Sequence, residues 1–447
     1  MRIEIPEKVR VVLNTLRMAG FEAYVVGGCV RDSILGRVPN DWDVTTSARP
    51  EQVKALFRRT IDTGIQHGTV TVMMDKEGFE VTTYRIDGKY EDSRHPSQVT
   101  FTPSLEEDLK RRDFTINAMA YNDEDGLVDL FGGIRDVEER RIRCVGDPEA
   151  RFGEDALRIL RAVRFSAQLG YGIEEKTLAA ITKLAPTLQN ISAERIQTEL
   201  VKLLVSDHPD YLRIAYDTGI TKVILPEFDQ CMAMPQNHPH HCYNVGEHTL
   251  VSLTEVPPDK VLRLAMLFHD IGKPKCLTVG KNGITHFYGH PKVSEKMTVE
   301  ILRRLKFDND TIRMVAKLIE YHDVGNEEEP SPRRMRHILN RVGEEAFPAM
   351  FRVWKGDVLA QSTYLREEKL AKIEGWEACY QEILAEHQCV SLKDLAINGK
   401  DLIEMGAAPG KELGACLQRL LEEVLEAPEK NTKEYLTQRA KKLIGKE

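Results

Sequence analysis

No stretch of this chain reads as a membrane span. Charged residues make up 30% of its 447 positions, and an unbroken run of about 20 apolar residues is missing. The opening segment, Met1–Pro6 (MRIEIP), lacks the apolar core of a secretion signal. A basic excess is missing too. The net charge is −8 and the pI about 6.0, which argues against a protein that coats nucleic acid through bulk charge. The eight cysteines, at 29, 144, 231, 242, 276, 379, 389 and 416, form no CxxC pair, so the pattern predicts buried or free thiols in a reducing cytoplasm. No fixed-period repeat and no low-complexity tract interrupts the chain.

What is present is an ordinary globular composition, 42% hydrophobic, at a length that suggests two to four domains. Positive charge is concentrated locally, at Lys110–Arg112, Arg140–Arg143, Arg158–Arg164 and Arg333–Arg336. Such clusters suit an enzyme that grips one RNA end, although a charge run is more often a solvated helix face. Residues 1–145 alternate strand-like and helix-like segments. Phe21–Val26 is a short β-rich run ending at Gly27-Gly28, and Thr69–Met74 and Phe79–Tyr84 alternate around Asp75–Gly78 as a hairpin. From about 150 onward the apolar spacing is helical, as at Leu157, Leu160, Val163 and Ala167, and again at Ile196, Leu200, Leu203 and Leu204. The stretch Glu327–Pro332 reads as a loop.

The segment 27–45 reads GGCVRDSILGRVPNDWDVT. Two glycines after a strand let the backbone approach a triphosphate, a helix start favours anions, and Arg31 adds a charge-assisted bond. Asp41 and Asp43 stand at i and i+2, which on a strand puts both carboxylates on one face. Paired carboxylates suit two Mg2+ ions, one activating an RNA 3′-hydroxyl and the other steadying pyrophosphate. Glu80, on the hairpin, could supply a third carboxylate.

This arrangement resembles the polymerase-β-like nucleotidyltransferases. Further blocks in order narrow the resemblance: LKRRDFTINA (109–118), DLFGG (129–133), FGEDALRILRAVRFSAQLG (152–170) and ISAERIQTELVKLL (191–204). They are similar to the class II tRNA nucleotidyltransferases and bacterial poly(A) polymerases. The resemblance implies an α+β chain: a head with a small mixed sheet and helices, then an all-α neck and body, an HD domain and a tail. It implies nucleotide contacts at Gly28, Arg31, Arg112, Asp155, Arg158, Arg161 and Arg164, and metal contacts at Asp41 and Asp43. Asn117 matches a ribose-bonding position. Asp113 either braces arginines or simply pairs with Arg111 or Arg112. Asp155 and Arg158, at i and i+3, would share a helix face. Together they offer an acceptor and a donor that complement the edge common to cytosine and adenine. The polar segment Asp87–Phe101 has no helix or strand period. In the family it corresponds to the flexible element that permits the change from C to A addition.

A second constellation lies at 238–357: His248, His269-Asp270, His290, His322 and Asp357. The apolar run Val261–Phe268 would deliver His269 and Asp270 to a buried place, and Gly272-Lys273-Pro274 would break the helix. Four imidazoles and two carboxylates can hold one or two divalent ions. YNVGEHTL, LFHDIGK and the HP of HFYGHPK resemble the HD phosphohydrolase superfamily. There His286 competes with His290, and Lys273 either meets phosphate or caps a helix. A divalent transition metal is the expected occupant.

Near the end, Gly406 and Pro409-Gly410 open an amphipathic helix within Leu395–Val424, a segment similar to the tRNA-binding tail of the same nucleotidyltransferases. The expected domains are a head at 1–145, a neck and body at 146–228, an HD-type domain at 229–370 and a tail at 371–447. The expected activity is addition of CMP and AMP from CTP and ATP to the 3′ end of tRNA, with no membrane partner. The alternatives are an A-adding enzyme or poly(A) polymerase and, less in keeping with Asp41 and Asp43, a nucleotide-sensing HD hydrolase.

Overall fold

A computed structural model describes residues 2–88, 99–327 and 329–445. The chain divides into two compact units, Met1–Pro226 and Glu227–Glu447.

The first unit is built on a mixed seven-stranded sheet. Its strands are β1 (Ala23–Val26), β2 (Val44–Thr46), β3 (Thr60–Gly64), β4 (Thr69–Met74), β5 (Glu77–Thr83), β6 (Met119–Asn122) and β7 (Gly126–Asp129), in the order β3-β4-β5-β2-β1-β6-β7. Only β2 and β5 run parallel; every other neighbouring pair is antiparallel. The expected hairpin is present, but its turn is tighter than Asp75–Gly78. Asp75 takes a left-handed φ of 56° and Glu77 already pairs with Met74. Aspartate tolerates that conformation better than most residues, so two residues suffice.

All four β1 residues are buried, because helix Glu7–Met18 lays Val9, Val12, Leu13 and Leu16 in a helical stripe against this part of the sheet. Fully burying such a side chain contributes about 1.5–3 kcal/mol. The segment Asp87–Phe101 corrects the sequence reading at its ends, where Arg85–Asp87 pairs antiparallel with Val99–Phe101. The rest of that segment, 89–98, lies outside the described residues.

After residue 145 the first unit is almost wholly helical. Helix Leu157–Leu169 buries Leu157, Ile159, Leu160, Val163 and Ala167 and packs on helix Ala193–Leu204. Gly170, at φ 68°, ends it by returning its N–H to the Ser166 carbonyl, and the Tyr171 N–H goes to the same carbonyl.

The second unit is a helical body. Helices Val245–Thr254, Lys260–Phe268, His290–Arg304, Asn309–Glu320 and Phe347–Ala360 pack around Leu262, Leu264–Phe268, Val315 and Leu318. Helix Arg366–Ala385 closes one side through Trp376 and Tyr380, which meet Trp354, Phe347 and Phe351. The Trp354 indole N–H donates to the Tyr321 carbonyl at 3.0 Å, so its burial leaves no orphaned donor. The expected tail helix runs Lys411–Glu426 and buries Cys416, Leu420, Leu421, Val424 and Leu425. Among the described residues no helix is long and apolar enough to cross a membrane.

Candidate active site and metal centre

In the first unit, Asp41 and Asp43 lie in the segment that enters β2, three residues and one residue before its first residue Val44, and not on the strand as the spacing suggested. The Val26 N–H donates to the Asp43 carbonyl at 3.0 Å, which holds this segment against the end of β1. The chain then turns at Gly27, whose φ of 81° strongly favours glycine. A Cβ there would also stand 3.0 Å from an Arg112 guanidinium nitrogen. Glu80 on β5 faces the same two aspartates. Burial, then the charges of Asp43 and Asp41, lift its pKa. Asp43 is lifted likewise, by burial and by Asp41, against the opposing charge of Arg112. Among the described residues, no ion pair or side-chain hydrogen bond reaches the carboxylates of Asp41, Asp43 or Glu80. Three acids gathered in one place, none held by an ion pair or a side-chain hydrogen bond, are a set that divalent cations relieve. The residues therefore fit a metal site.

Beside them opens a cavity of about 660 Å3, lined in part by Gly28, Arg31, Asp41, Asp43, Arg112, Asp113, Asn117, Arg161 and Arg164. Its volume is in the range of small-ligand sites. The arginines are set by their neighbours. Arg31 donates to Asn117 Oδ1 at 2.6 Å and pairs with Asp32 at 2.8 Å. Asp113 resolves in favour of bracing: its Oδ2 accepts from Arg161 at 2.7 Å, while Oδ1 accepts from the Phe114 N–H and from Asn117. Arg164 pairs with buried Glu199. Arg31, Arg161 and Arg164 gather around the Phe165 ring at 5.1, 5.4 and 3.7 Å from its centroid. The negative face of that ring steadies guanidinium groups that would otherwise repel. Arg112 lines the cavity and keeps a buried Nε with no partner among the described residues.

Asp155 and Arg158 differ from their sequence reading. Asp155 is not on the helix face. It is the extended residue (φ −138°) between helices Pro148–Glu154 and Leu157–Leu169, and its carboxylate accepts from the Leu157 N–H and from Arg195. A short side chain that can bond the backbone favours such a helix entry over the helix interior. Arg158 pairs with Glu154 at 2.6 Å and donates to the carbonyls of Arg151 and Arg111. Neither residue lines the cavity. Arg37, Phe165 and Lys202 line it and escaped the sequence reading. Arg37 lay in plain view inside the GRVPNDWD block, whereas Phe165 looked like one more core position.

In the second unit, the structure gathers all six expected ligands. His248 comes from helix Val245–Thr254, and His269 and Asp270 follow helix Lys260–Phe268. His290 opens helix His290–Arg304, His322 follows helix Asn309–Glu320, and Asp357 projects from helix Phe347–Ala360. Each imidazole is fixed from behind. The Nδ1 atoms of His248, His269, His290 and His322 lie 3.3, 2.8, 2.9 and 2.7 Å from the carbonyls of Ala360, Met266, Phe287 and Ile319. A carbonyl only accepts, so each Nδ1 carries a proton, and when the ring is neutral its Nε2 lone pair points inward.

Two pairs of those lone pairs then face each other: His248 and His269 at 3.1 Å, His290 and His322 at 3.2 Å. Facing lone pairs repel unless a cation lies between them. Nitrogens bound to one ion at about 2.1 Å would stand about 3.0–3.4 Å apart, across octahedral to tetrahedral angles. Asp270 bridges the pairs, with Oδ2 3.3 Å from His269 and Oδ1 3.2 Å from His290. Asp357 lies 2.9 Å from His248. Asp323, missed in the sequence, lies 3.4 Å from His290 and 3.3 Å from His322. The donor set thus fits two divalent ions sharing Asp270.

Burial opposes a charge on His269, but Asp270 and Asp357 outweigh it and raise its pKa to about 10. His290, and not His286, joins the cluster. His286 lies in the strand pair Thr278–Val279/Thr285–His286 and stacks on Tyr288 at the rim. Gly272 packs so closely that a Cβ would meet the Ser294 backbone nitrogen at 2.6 Å. Lys273 lies 2.7 Å from Asp270, so it faces the centre.

Comparison with known proteins shows what the chain is similar to. The family model for the poly(A) polymerase head domain matches residues 23–143, that for an RNA and SrmB-binding site of polymerase A matches 170–232, and that for tRNA nucleotidyltransferase domain 2 matches 278–440. The chain is 36% identical to the CCA-adding enzyme of Levilactobacillus brevis over 433 residues, 96% of each chain. It is 35% identical to that of Enterococcus faecalis over 444 residues, 97% of this chain and 95% of the relative. Among solved structures, the Bacillus stearothermophilus CCA-adding enzyme in complex with CTP is similar at a TM-score of 0.73 and 30% identity, covering 98% of this chain and 96% of that one.

Proposed function

The chain belongs to the family of CCA-adding enzymes, and from that premise we propose that its first unit adds CMP and AMP, from CTP and ATP, to the 3′ end of tRNA without a template. The observation that carries the reading is the juxtaposition of three unpartnered carboxylates with an arginine-walled cavity. Asp41 and Asp43, with Glu80 beside them, would hold Mg2+, which supplies activation of the RNA 3′-hydroxyl and charge neutralisation at the leaving pyrophosphate. The chain's own residues do the rest. Arg31, Arg112, Arg161 and Arg164 present fixed positive charge to a triphosphate, so little reorganisation is needed when it binds. Asn117 and Asp113 keep two of those guanidiniums in place.

Base choice is assigned to Asp155 and Arg158 on the family motif and on hydrogen-bond sense. A carboxylate beside a guanidinium complements the amino group and ring nitrogen shared by cytosine and adenine. To meet a base, Asp155 must release Arg195 and Arg158 must release Glu154. Supplying a tRNA transcript that lacks its last three nucleotides with CTP alone, then with ATP, tests the reading. Two additions followed by one are expected. Extension by ATP alone into a run of A would favour a poly(A) polymerase instead.

A second reading concerns the second unit, and the facing imidazole pairs favour it. His248, His269, Asp270, His290, His322 and Asp357, with Asp323, would hold divalent transition metal, which supplies an activated water for phosphoester hydrolysis. The eight free cysteines favour a reducing compartment, the cytoplasm.

A further inference from the structure

The cavity over the second unit's metal centre has a volume of about 360 Å3, and its wall includes Asp270, Lys273, Asp323, Asp357, Gln361 and Lys369. The two lysines are held differently. Lys273 belongs to the centre itself: its ammonium lies 2.7 Å from Asp270 and donates to Gln236 at 2.9 Å. Lys369 comes from helix Arg366–Ala385, which supplies no metal ligand. Among the described residues no carboxylate lies within ion-pair reach of it, and its one partner is the neutral Oε1 of Gln361.

That partner fixes its position. The Gln361 amide donates from Nε2 to Asp357 Oδ2 at 2.9 Å. A carboxylate only accepts, so Oε1 must face Lys369. The ammonium is therefore anchored at the edge of the centre with two of its three N–H groups unspent. The carboxylates of Asp270, Asp323 and Asp357 would be offset by the ions they hold. Burial works against the charge on Lys369, and on the protein only the more distant carboxylate of Asp357 favours it. An anion that enters the cavity can pair with it directly.

We propose that Lys369 is a specificity-determining residue of this centre, which holds the terminal oxygen of a phosphomonoester and so favours dianionic monoesters over monoanionic diesters. The proposal rests on the hydrolytic reading of the centre given above. In that reaction water forms a new P–O bond, the ester P–O bond breaks, and the alcohol leaves with a proton, so no co-reactant beyond water is needed. A monoester carries a charge of about −1.5 to −2 at neutral pH and offers one more terminal oxygen than a diester.

The test uses the full chain loaded with Mn2+, in wild-type, Lys369→Met and Lys369→Arg forms. Bound metal is counted, calorimetry gives the affinity for inorganic phosphate, and hydrolysis is followed with p-nitrophenyl phosphate and bis-p-nitrophenyl phosphate. Removing a charge-assisted hydrogen bond should weaken phosphate binding and lower kcat/KM for the monoester by about 10- to 100-fold. The loss for the diester should be clearly smaller, metal content should be unchanged, and arginine should restore part of the loss. Equal losses for both esters with unchanged phosphate affinity would overturn the role of Lys369 while leaving the hydrolytic reading intact. Phosphate binding that depends on Lys369, without hydrolysis of either ester, would overturn the hydrolytic reading and keep the anion site. A wild-type protein that takes up metal but binds no phosphate overturns the role of Lys369 outright.

Discussion

Asp113→Asn removes one charge and keeps the shape of the side chain. Four contacts fall on the two Asp113 oxygens. The Phe114 N–H and Asn117 Nδ2 donate to Oδ1 at 2.9 and 3.2 Å, and two Arg161 nitrogens donate to Oδ2 at 2.7 Å. An amide has only one acceptor oxygen. Whichever way asparagine turns, its NH2 meets a donor. The loss of hydrogen bonds to a charged group costs about 1.5–3 kcal/mol, taken toward the low end because Arg161 remains about one-third exposed. A loss of about 2 kcal/mol in a unit of this size lowers Tm by about 4–8 °C.

The effect has a defined pH dependence. Burial would raise the Asp113 pKa, but the charges of Arg161 and Arg158 outweigh it and hold the group well below the usual carboxylate value. Its stabilisation is therefore complete above the unfolded value of about 4 and is lost as pH falls through the lower folded value. The Tm gap between wild type and variant should be full at pH 7 and narrow below about pH 4. Arg161 would also be freed at the cavity wall, so KM for CTP should rise by about tenfold, the effect of one weakened phosphate contact. Thermal unfolding across pH and steady-state kinetics on a tRNA primer measure both. An unchanged Tm at pH 7 together with an unchanged KM would refute the bracing role.

Asp43→Asn should abolish nucleotide transfer. Because the Asp43 pKa is raised in the fold, its ionisation works against folding as pH rises, so the variant should melt slightly higher than wild type in EDTA at pH 7 and lose any Mg2+-dependent rise in Tm. His269→Ala with Asp270→Ala should leave CMP and AMP transfer nearly intact, since those ligands lie in the second unit. The same variant should lose bound transition metal by elemental analysis; retained metal at wild-type stoichiometry would count against the centre. Asp155→Arg with Arg158→Asp should weaken use of CTP and ATP and raise relative use of UTP and GTP in single-turnover competition. An unchanged preference in the folded double variant would move base selection elsewhere.

Much of this architecture was legible in the sequence because the signals were local. The 69–83 hairpin, the helix stripes at 157–169 and 193–204, and the helix after Gly410 all follow from side-chain period and turn residues. The histidine and aspartate cluster of the second unit was legible because a buried apolar helix ends directly at His269-Asp270. What escaped depends on neighbours distant in sequence. Asp155 carries a helical i, i+3 spacing to Arg158, yet the backbone stays extended there because the carboxylate caps the next helix and meets Arg195, 40 residues away. Phe165 reads as core until three arginines are seen around its ring. Lys369 has no motif at all; only Gln361 ties it to Asp357. Asp323 was the most accessible omission, since it follows His322 in a second His-Asp pair.

By the proposed function, the first unit writes a defined three-nucleotide end. Sequencing the 3′ ends of a tRNA transcript that stops before CCA, after incubation with the purified chain, Mg2+ and all four nucleoside triphosphates at equal concentration, tests it most directly. Nearly all extended molecules should end in CCA and stop there. Ends consisting of A alone, or of mixed nucleotides, would contradict it.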